Sequence, residues 1–281
     1  MKPVAFETVR PASLAEASRL LVRHPDAKLV AGGQSLGPML NLRLARPRLL
    51  VDITGIPDLT TVSRTVDHLV IGACVTTAAV EDGRGGLDAV PMLAGVAAHV
   101  AYRAVRNRGT VGGSLCHADP AADWPTALAA LGADVIMSDG VSGRTVPVAH
   151  LITSAFETAL APGEILVRIR VPLPSRDARW SYVKITRKAG EFALANAAVL
   201  DDPERAILRV AIGALRGPPL VIEDARTLFS GPVSAASLDR AALAPLLDAA
   251  GVDSETQRTL HLTALSRAAD QAASSSRALA S

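Results

Sequence analysis

Two glycine pairs, each followed within two residues by a serine, constrain this sequence more than any other feature. They lie in Val30-Ala31-Gly32-Gly33-Gln34-Ser35-Leu36 and Thr110-Val111-Gly112-Gly113-Ser114, and the first follows an apolar run, Lys28–Ala31, that reads as a strand. Glycine lets backbone N–H groups approach an anion without a Cβ in the way, and it permits the positive φ that an anion-holding turn requires. Serine and threonine hydroxyls can complete such a shell. A lone Gly-Gly after a strand is most often an ordinary turn. Two such loops in one domain could clasp a diphosphate from both sides.

Three other chemistries compete for these residues. Gly33-Gln34-Ser35-Leu36-Gly37 fits the G-x-S-x-G pattern of serine hydrolases, and Asp123 with His150 or His261 could complete the order. Pro38 argues against the helix such an elbow needs after its serine, and no glycine-rich oxyanion strand precedes it. A dinucleotide-binding unit would use Asp52, about twenty residues beyond Gly32. However, G-x-G-x-x-G is absent, and Pro38, Pro47 and three intervening arginines leave little room for a crossover helix. Asp52 therefore reads as a strand-end or turn residue. His117 and Asp119 have no further His or Cys cluster nearby and read as loop hydrogen-bonding residues rather than metal ligands. Cys116 has no neighbour that would activate a thiolate.

Composition narrows the function classes. With 49% hydrophobic and 20% charged residues in 281, the chain should bury a core. Scattered basic residues and a net charge of +2 give no reason to expect a nucleic-acid partner, and 3% aromatics count against base-stacking platforms. No apolar run is long enough to span a bilayer and Met1 to Arg10 carries no signal-like core, so the expected compartment is the cytoplasm. The two cysteines cannot hold an iron–sulfur cluster, which normally takes four thiolates.

The coarse pattern is α+β. Ser13-Leu14-Ala15-Glu16 opens a helix that buries Leu14, Ala17, Leu20 and Leu21. Strands are predicted at Leu49–Ile53, His68–Ile71, Asp134–Met137 and Glu164–Val171, with helices at Met92–Tyr102 and from Pro125 to Gly132. Asn107 to Asp123 reads as one long shaped loop. Pro172 to Asp177 marks a boundary between residues 1–174 and 178–281. The second part shows three strands, Trp180–Thr186, Ala193–Leu200 and Ile207–Leu215, then Ala/Leu-rich helices and a Ser/Ala tail expected to fray.

The first glycine segment, continued through Pro38-Met39-Leu40-Asn41-Leu42-Arg43-Leu44-Ala45 to Leu50-Val51-Asp52-Ile53, resembles a signature of the FAD-binding medium subunits of the xanthine dehydrogenase and carbon monoxide dehydrogenase family. So does Val105-Arg106-Asn107-Arg108-Gly109 running into the second segment and on through His117-Ala118-Asp119-Pro120 to Asp123. Tyr182-Val183-Lys184 and Arg187-Lys188-Ala189-Gly190-Glu191-Phe192-Ala193 resemble the start of that family's C-terminal flavoprotein domain, with Glu191 where many relatives carry aspartate.

The resemblance implies a PCMH-type (vanillyl-alcohol-oxidase-like) FAD-binding domain of two subdomains, then a small α+β domain with a three-stranded sheet and helices. It implies that Val30, Ala31, Gly32, Gly33, Gln34, Ser35 and Leu36, with Thr110, Val111, Gly112, Gly113 and Ser114, hold the diphosphate and ribityl chain. Asp123 would bind ribityl or ribose hydroxyls; Leu166 and Lys184 would lie near the isoalloxazine ring, with Val100 flanking it. It further implies partners: a large molybdenum–pterin (molybdopterin) subunit and a small subunit with [2Fe–2S] clusters, in a dimer of heterotrimers. The alternatives are a self-contained FAD oxidase of the same fold, a scaffold that has lost its flavin, and the serine hydrolase. Two cysteines argue against the cluster-bearing benzoyl-CoA-reducing branch.

Overall fold

The computed structural model describes residues 1–275; the tail expected to fray falls beyond them. Its first layer is built by β1 (Glu7–Val9), α1 (Leu14–Arg23), β2 (Lys28–Val30), α2 (Leu36–Asn41) and β3 (Leu49–Asp52). Ser13 caps α1, its Oγ accepting from the Glu16 N–H at 3.2 Å, while the Glu16 carboxylate accepts from the Ala12 N–H. The strands pair in parallel in the order β1-β3-β2, because each connection crosses over through a helix. The crossover from β2 to β3 contains a single short helix, the six residues of α2.

A five-stranded antiparallel sheet follows, in the order β4-β5-β10-β6-β7. Its strands are β4 (Val62–Arg64), β5 (His68–Gly72), β6 (Asp134–Ser138), β7 (Gly143–Pro147) and β10 (Ile165–Pro172), and the pair β8 (Ile152–Ser154) and β9 (Glu157–Thr158) stands apart. Between β5 and β6 the chain makes α3 (Thr77–Glu81), α4 (Pro91–His99), α5 (Arg103–Arg106), α6 (Val111–His117) and α7 (Asp123–Ala130). Strand β10 alternates as expected, Ile169 and Val171 inward against the half-exposed Arg168 and Arg170. A register shift between Leu166 and Arg168 lets Ile165, Leu166 and Val167 all be buried in succession.

The last sheet is a meander of β11 (Arg179–Ile185), β12 (Ala195–Asp202), β13 (Ile207–Gly213) and β14 (Leu220–Ile222), backed by α8 (Arg240–Ala249) and α9 (Glu255–Ser275). Both of its faces are covered. Tyr182, Ala198, Leu200 and Ala211 join the core that holds α7, while Val183, Ala197, Val199 and Val210 join a second core with α8 and α9. That is why Ala195–Leu200 is buried without alternation.

Four expectations need correction. Asn107 to Asp123 is not all loop: α6 lies inside it, started by Thr110, whose Oγ accepts from the Gly113 N–H at 3.0 Å, and stopped by Ala118 at φ 53°. Two glycines lower the helix propensity enough to hide it. The helix expected over Met92–Tyr102 stops at His99, because Ala101 turns left-handed (φ 43°) before α5. Among the described residues the second part has four strands rather than three, β14 being too short to read. A helix does follow Ser35 directly, since Pro38 falls in its first turn, where no amide hydrogen is needed.

Candidate functional site

The two glycine loops meet. A Cβ on Gly32 would lie 2.1 Å from the Arg108 carbonyl oxygen and 2.7 Å from the Gly109 Cα, so only glycine allows this approach. Gln34 Cγ sits 3.8 Å, and Ala31 Cβ 3.7 Å, from where Cβ atoms on Gly109 and Gly113 would be. The first loop turns on Gly33 at φ 70°, and the Gly37 N–H closes the turn on the Gly33 carbonyl at 2.9 Å.

The loops differ in what they can offer a ligand. Among the described residues, the N–H groups of Gly33, Gln34, Ser35 and Leu36 donate to no protein acceptor. Four consecutive donors on a glycine turn fit an anion such as a diphosphate. In the second loop the donors are already used: Val111 to the Val75 carbonyl, Gly112 to Ala73, Gly113 to Thr110 Oγ1 and Ser114 to the Thr110 carbonyl. Gly112 is fixed by packing, because a Cβ would strike Ala73 at 2.5 Å. The second loop therefore supports the first and has hydroxyls, chiefly that of Ser114, to offer.

A buried ion pair joins the last sheet to α7. Lys184 Nζ lies 3.0 Å from Asp123 Oδ2 and donates to the His99 carbonyl at 3.1 Å, and both side chains are 5% exposed. The Tyr182 hydroxyl donates to Asp123 Oδ1 at 2.6 Å. Burial pushes the Asp123 carboxyl above its ordinary value, against the opposing pull of the Lys184 charge and the Tyr182 hydrogen bond. Burial and the adjacent carboxylate hold the Tyr182 phenol well above its usual range, so it remains a donor. Val100 follows His99 at the end of α4 and is half-buried. Leu166 is a core residue, 2% exposed. Its strand packs against α6 of the second loop, and the Ala73 N–H bonds the Val167 carbonyl beside it.

Arg106 escaped the sequence reading as anything more than a motif position. It clamps the turn after α4, donating to the Val100 and Ala101 carbonyls at 3.0 Å while its Nε meets Glu81 at 2.8 Å. The buried bond from Thr126 Oγ1 to Asn196 Oδ1, 3.0 Å, also gave no local signal, because its partners are 70 residues apart.

The rival chemistries find no assembly. Among the described residues Ser35 Oγ has no hydrogen-bond partner, Asp123 is held by Lys184 and Tyr182, and His261 is buried in α9. His117 packs on Phe156 with ring centroids 5.3 Å apart, and Asp119 accepts from the Ala121 N–H. Asp52 bonds Thr54 and Arg10 at the end of β3, the strand-end role its sequence position suggested. Burial pushes the Cys74 thiol up to about 12, which leaves it inert near neutrality.

Residues 4–174 match the family described as the FAD binding domain in molybdopterin dehydrogenase. The chain is 35% identical over 234 residues to the nicotine 6-hydroxylase medium subunit of Paenarthrobacter nicotinovorans, which covers 82% of each chain. It is 38% identical over 201 residues to the carbon monoxide dehydrogenase medium chain of Hydrogenophaga pseudoflava, 71% of this chain and 70% of that one. Among solved structures it superposes on quinoline 2-oxidoreductase from Pseudomonas putida 86 with a TM-score of 0.84 at 32% identity, covering 98% of this chain and 99% of that chain. Carbon monoxide dehydrogenase from Hydrogenophaga pseudoflava gives 0.86 at 31%, with the same coverage. Among the described residues no helix is long and apolar enough to cross a membrane. The α+β architecture, the paired glycine loops and these matches converge: the chain belongs to the FAD-binding medium subunits of the molybdenum hydroxylase family.

Proposed function

We propose that this chain carries the FAD of a three-chain molybdenum hydroxylase and passes electrons from partner iron–sulfur clusters to an acceptor such as NAD, a quinone or oxygen. The run of four unpaired N–H groups from Gly33 to Leu36, wedged against the second loop at Gly32, carries this reading. When bound, FAD supplies the redox chemistry, taking electrons singly and releasing them to the acceptor. Gly33, Gln34, Ser35 and Leu36 hold the diphosphate by their amides, with Val30, Ala31 and Gly32 shaping the turn. Thr110, Val111, Gly112 and Gly113 brace that turn, and the Ser114 hydroxyl completes the shell. Asp123 would accept from sugar or ribityl hydroxyls, and Lys184 and Val100 would lie near the isoalloxazine ring. Leu166 acts through the packing beneath the second loop.

The flavin domain comprises residues 1–174, a reading supported by the family match over residues 4–174, and residues 178–281 form the C-terminal flavoprotein domain. The partners are a large molybdopterin subunit and a small [2Fe–2S] subunit in a dimer of heterotrimers. The compartment is the cytoplasm, with which the free Cys74 and Cys116 agree. Titration of the flavin-free chain with FAD and FMN tests the cofactor assignment. FAD should bind at least about tenfold tighter, because its second phosphate meets the Gly33–Leu36 amides. Equal affinity for the two would refute the diphosphate role.

A further inference from the structure

Where α4, the open edge of β11 and α9 come together, the chain forms a cleft of about 300 Å³ lined by Gly95, His99, Trp180, Ser181, Tyr182 and Gln271. In a chain with two tryptophans and two tyrosines, one of each lines this cleft. Trp180 lies against Gly95, where a Cβ would come within 2.9 Å of the indole. No lysine, arginine or carboxylate contributes to the lining. Among the described residues, the His99 imidazole and the Gln271 carboxamide make no hydrogen bond to protein, and both are exposed. Both can donate toward a carbonyl oxygen.

A small, ring-lined cleft with two free donors and no lysine, arginine or carboxylate suits a planar ring compound bearing carbonyl acceptors. It does not suit a dinucleotide, whose diphosphate calls for cations or clustered amides. The walls also touch the buried ion pair: the His99 carbonyl accepts from Lys184, and the Tyr182 hydroxyl donates to Asp123.

We infer that this cleft seats the electron acceptor, an uncharged ring compound of the quinone class. The purpose assigned to the cleft rests on the flavin reading above; the binding itself does not. Two electrons and two protons convert the quinone to the quinol. The electrons are those the subunit already passes on; the reduced flavin is the species oxidised and gives up its own protons to solvent, and the two protons the quinone takes enter from solvent through the open mouth of the cleft.

The test is tryptophan emission of the full chain during titration with duroquinone, whose ring is fully substituted and adds no thiol. Trp180 lines the cleft while Trp124 is fully buried, so binding should give saturable quenching that Trp180→Phe removes. Gln271→Phe fills the mouth and His99→Ala removes a donor while keeping the carbonyl that Lys184 uses; each should weaken binding, the former about tenfold. NAD should neither quench nor compete. Linear quenching, unchanged affinity in both variants, or competition by NAD would overturn the proposal. Flavin content is measured on the same samples. Full flavin without saturable duroquinone binding defeats the cleft alone, and saturable binding by a chain unable to take up FAD defeats the flavin reading alone.

Discussion

At Gly32 the two loops approach so closely that a single methyl group cannot be fitted, since Arg108 and Gly109 present backbone and cannot swing aside. Gly32→Ala should therefore push the loops apart and reduce FAD retention at least about tenfold, read as flavin per chain after gel filtration. Gly33 is constrained differently, by a left-handed φ of 70° with open space around it. Gly33→Val should abolish flavin retention, while the local backbone strain lowers stability by about 1–2 kcal/mol or somewhat more. Full flavin occupancy in either variant would contradict the assignment of the loop. At Lys184 the issue is charge. Lys184→Met leaves the Asp123 carboxylate buried and unpaired, at a cost of about 3–5 kcal/mol near neutrality. Without the ammonium, the Asp123 pKa rises further above its unfolded value. The variant should then be most stable at acid pH and lose stability as pH rises through the folded pKa, as urea midpoints of the flavin-free chain would show.

At the level of elements, the last sheet is held to α7 by Thr126, Asn196 and the carbonyl of Ala122. Asn196→Ala leaves a buried hydroxyl without its partner and should cost about 1–3 kcal/mol in urea unfolding. Helix α9 carries a different liability. His261 is buried, its Nδ1 meets no partner among the described residues, and burial lowers its pKa below the ordinary 6.5. The unfolded chain binds that proton more readily, so stability is fully present above pH 6.5 and falls as pH drops toward the folded pKa. The slope is at most about 1.4 kcal/mol per pH unit, and His261→Leu should flatten it.

How legible each feature is in the sequence tracks how local its signal is. The capping box at Ser13, the β10 alternation and the proline-rich segment after it are patterns of neighbouring residues, and the sequence displayed them. Helix α6 was hidden because its glycines argue against a helix that a Thr110 cap and tertiary packing nonetheless impose. The resemblance brought Asp123 and Lys184 to notice separately. Their pairing, with Tyr182 and the His99 carbonyl, depends on segments about sixty to eighty-five residues apart that no local pattern connects.

For the whole molecule, the arrangement is one sheet covered on both faces, so that the C-terminal unit closes over α7 and supplies Lys184 to the flavin unit. The glycine loops, held together by their backbones, lie in the N-terminal unit that carries the FAD-binding family match. The proposed role requires that this chain hold FAD within a three-chain complex. The most direct measurement is the visible absorption spectrum of the protein purified from its native host, with chromatography of the chromophore released on denaturation. Released FAD, iron–sulfur absorption and two co-purifying chains are the expected result. A colourless chain that still retains both partners would contradict it.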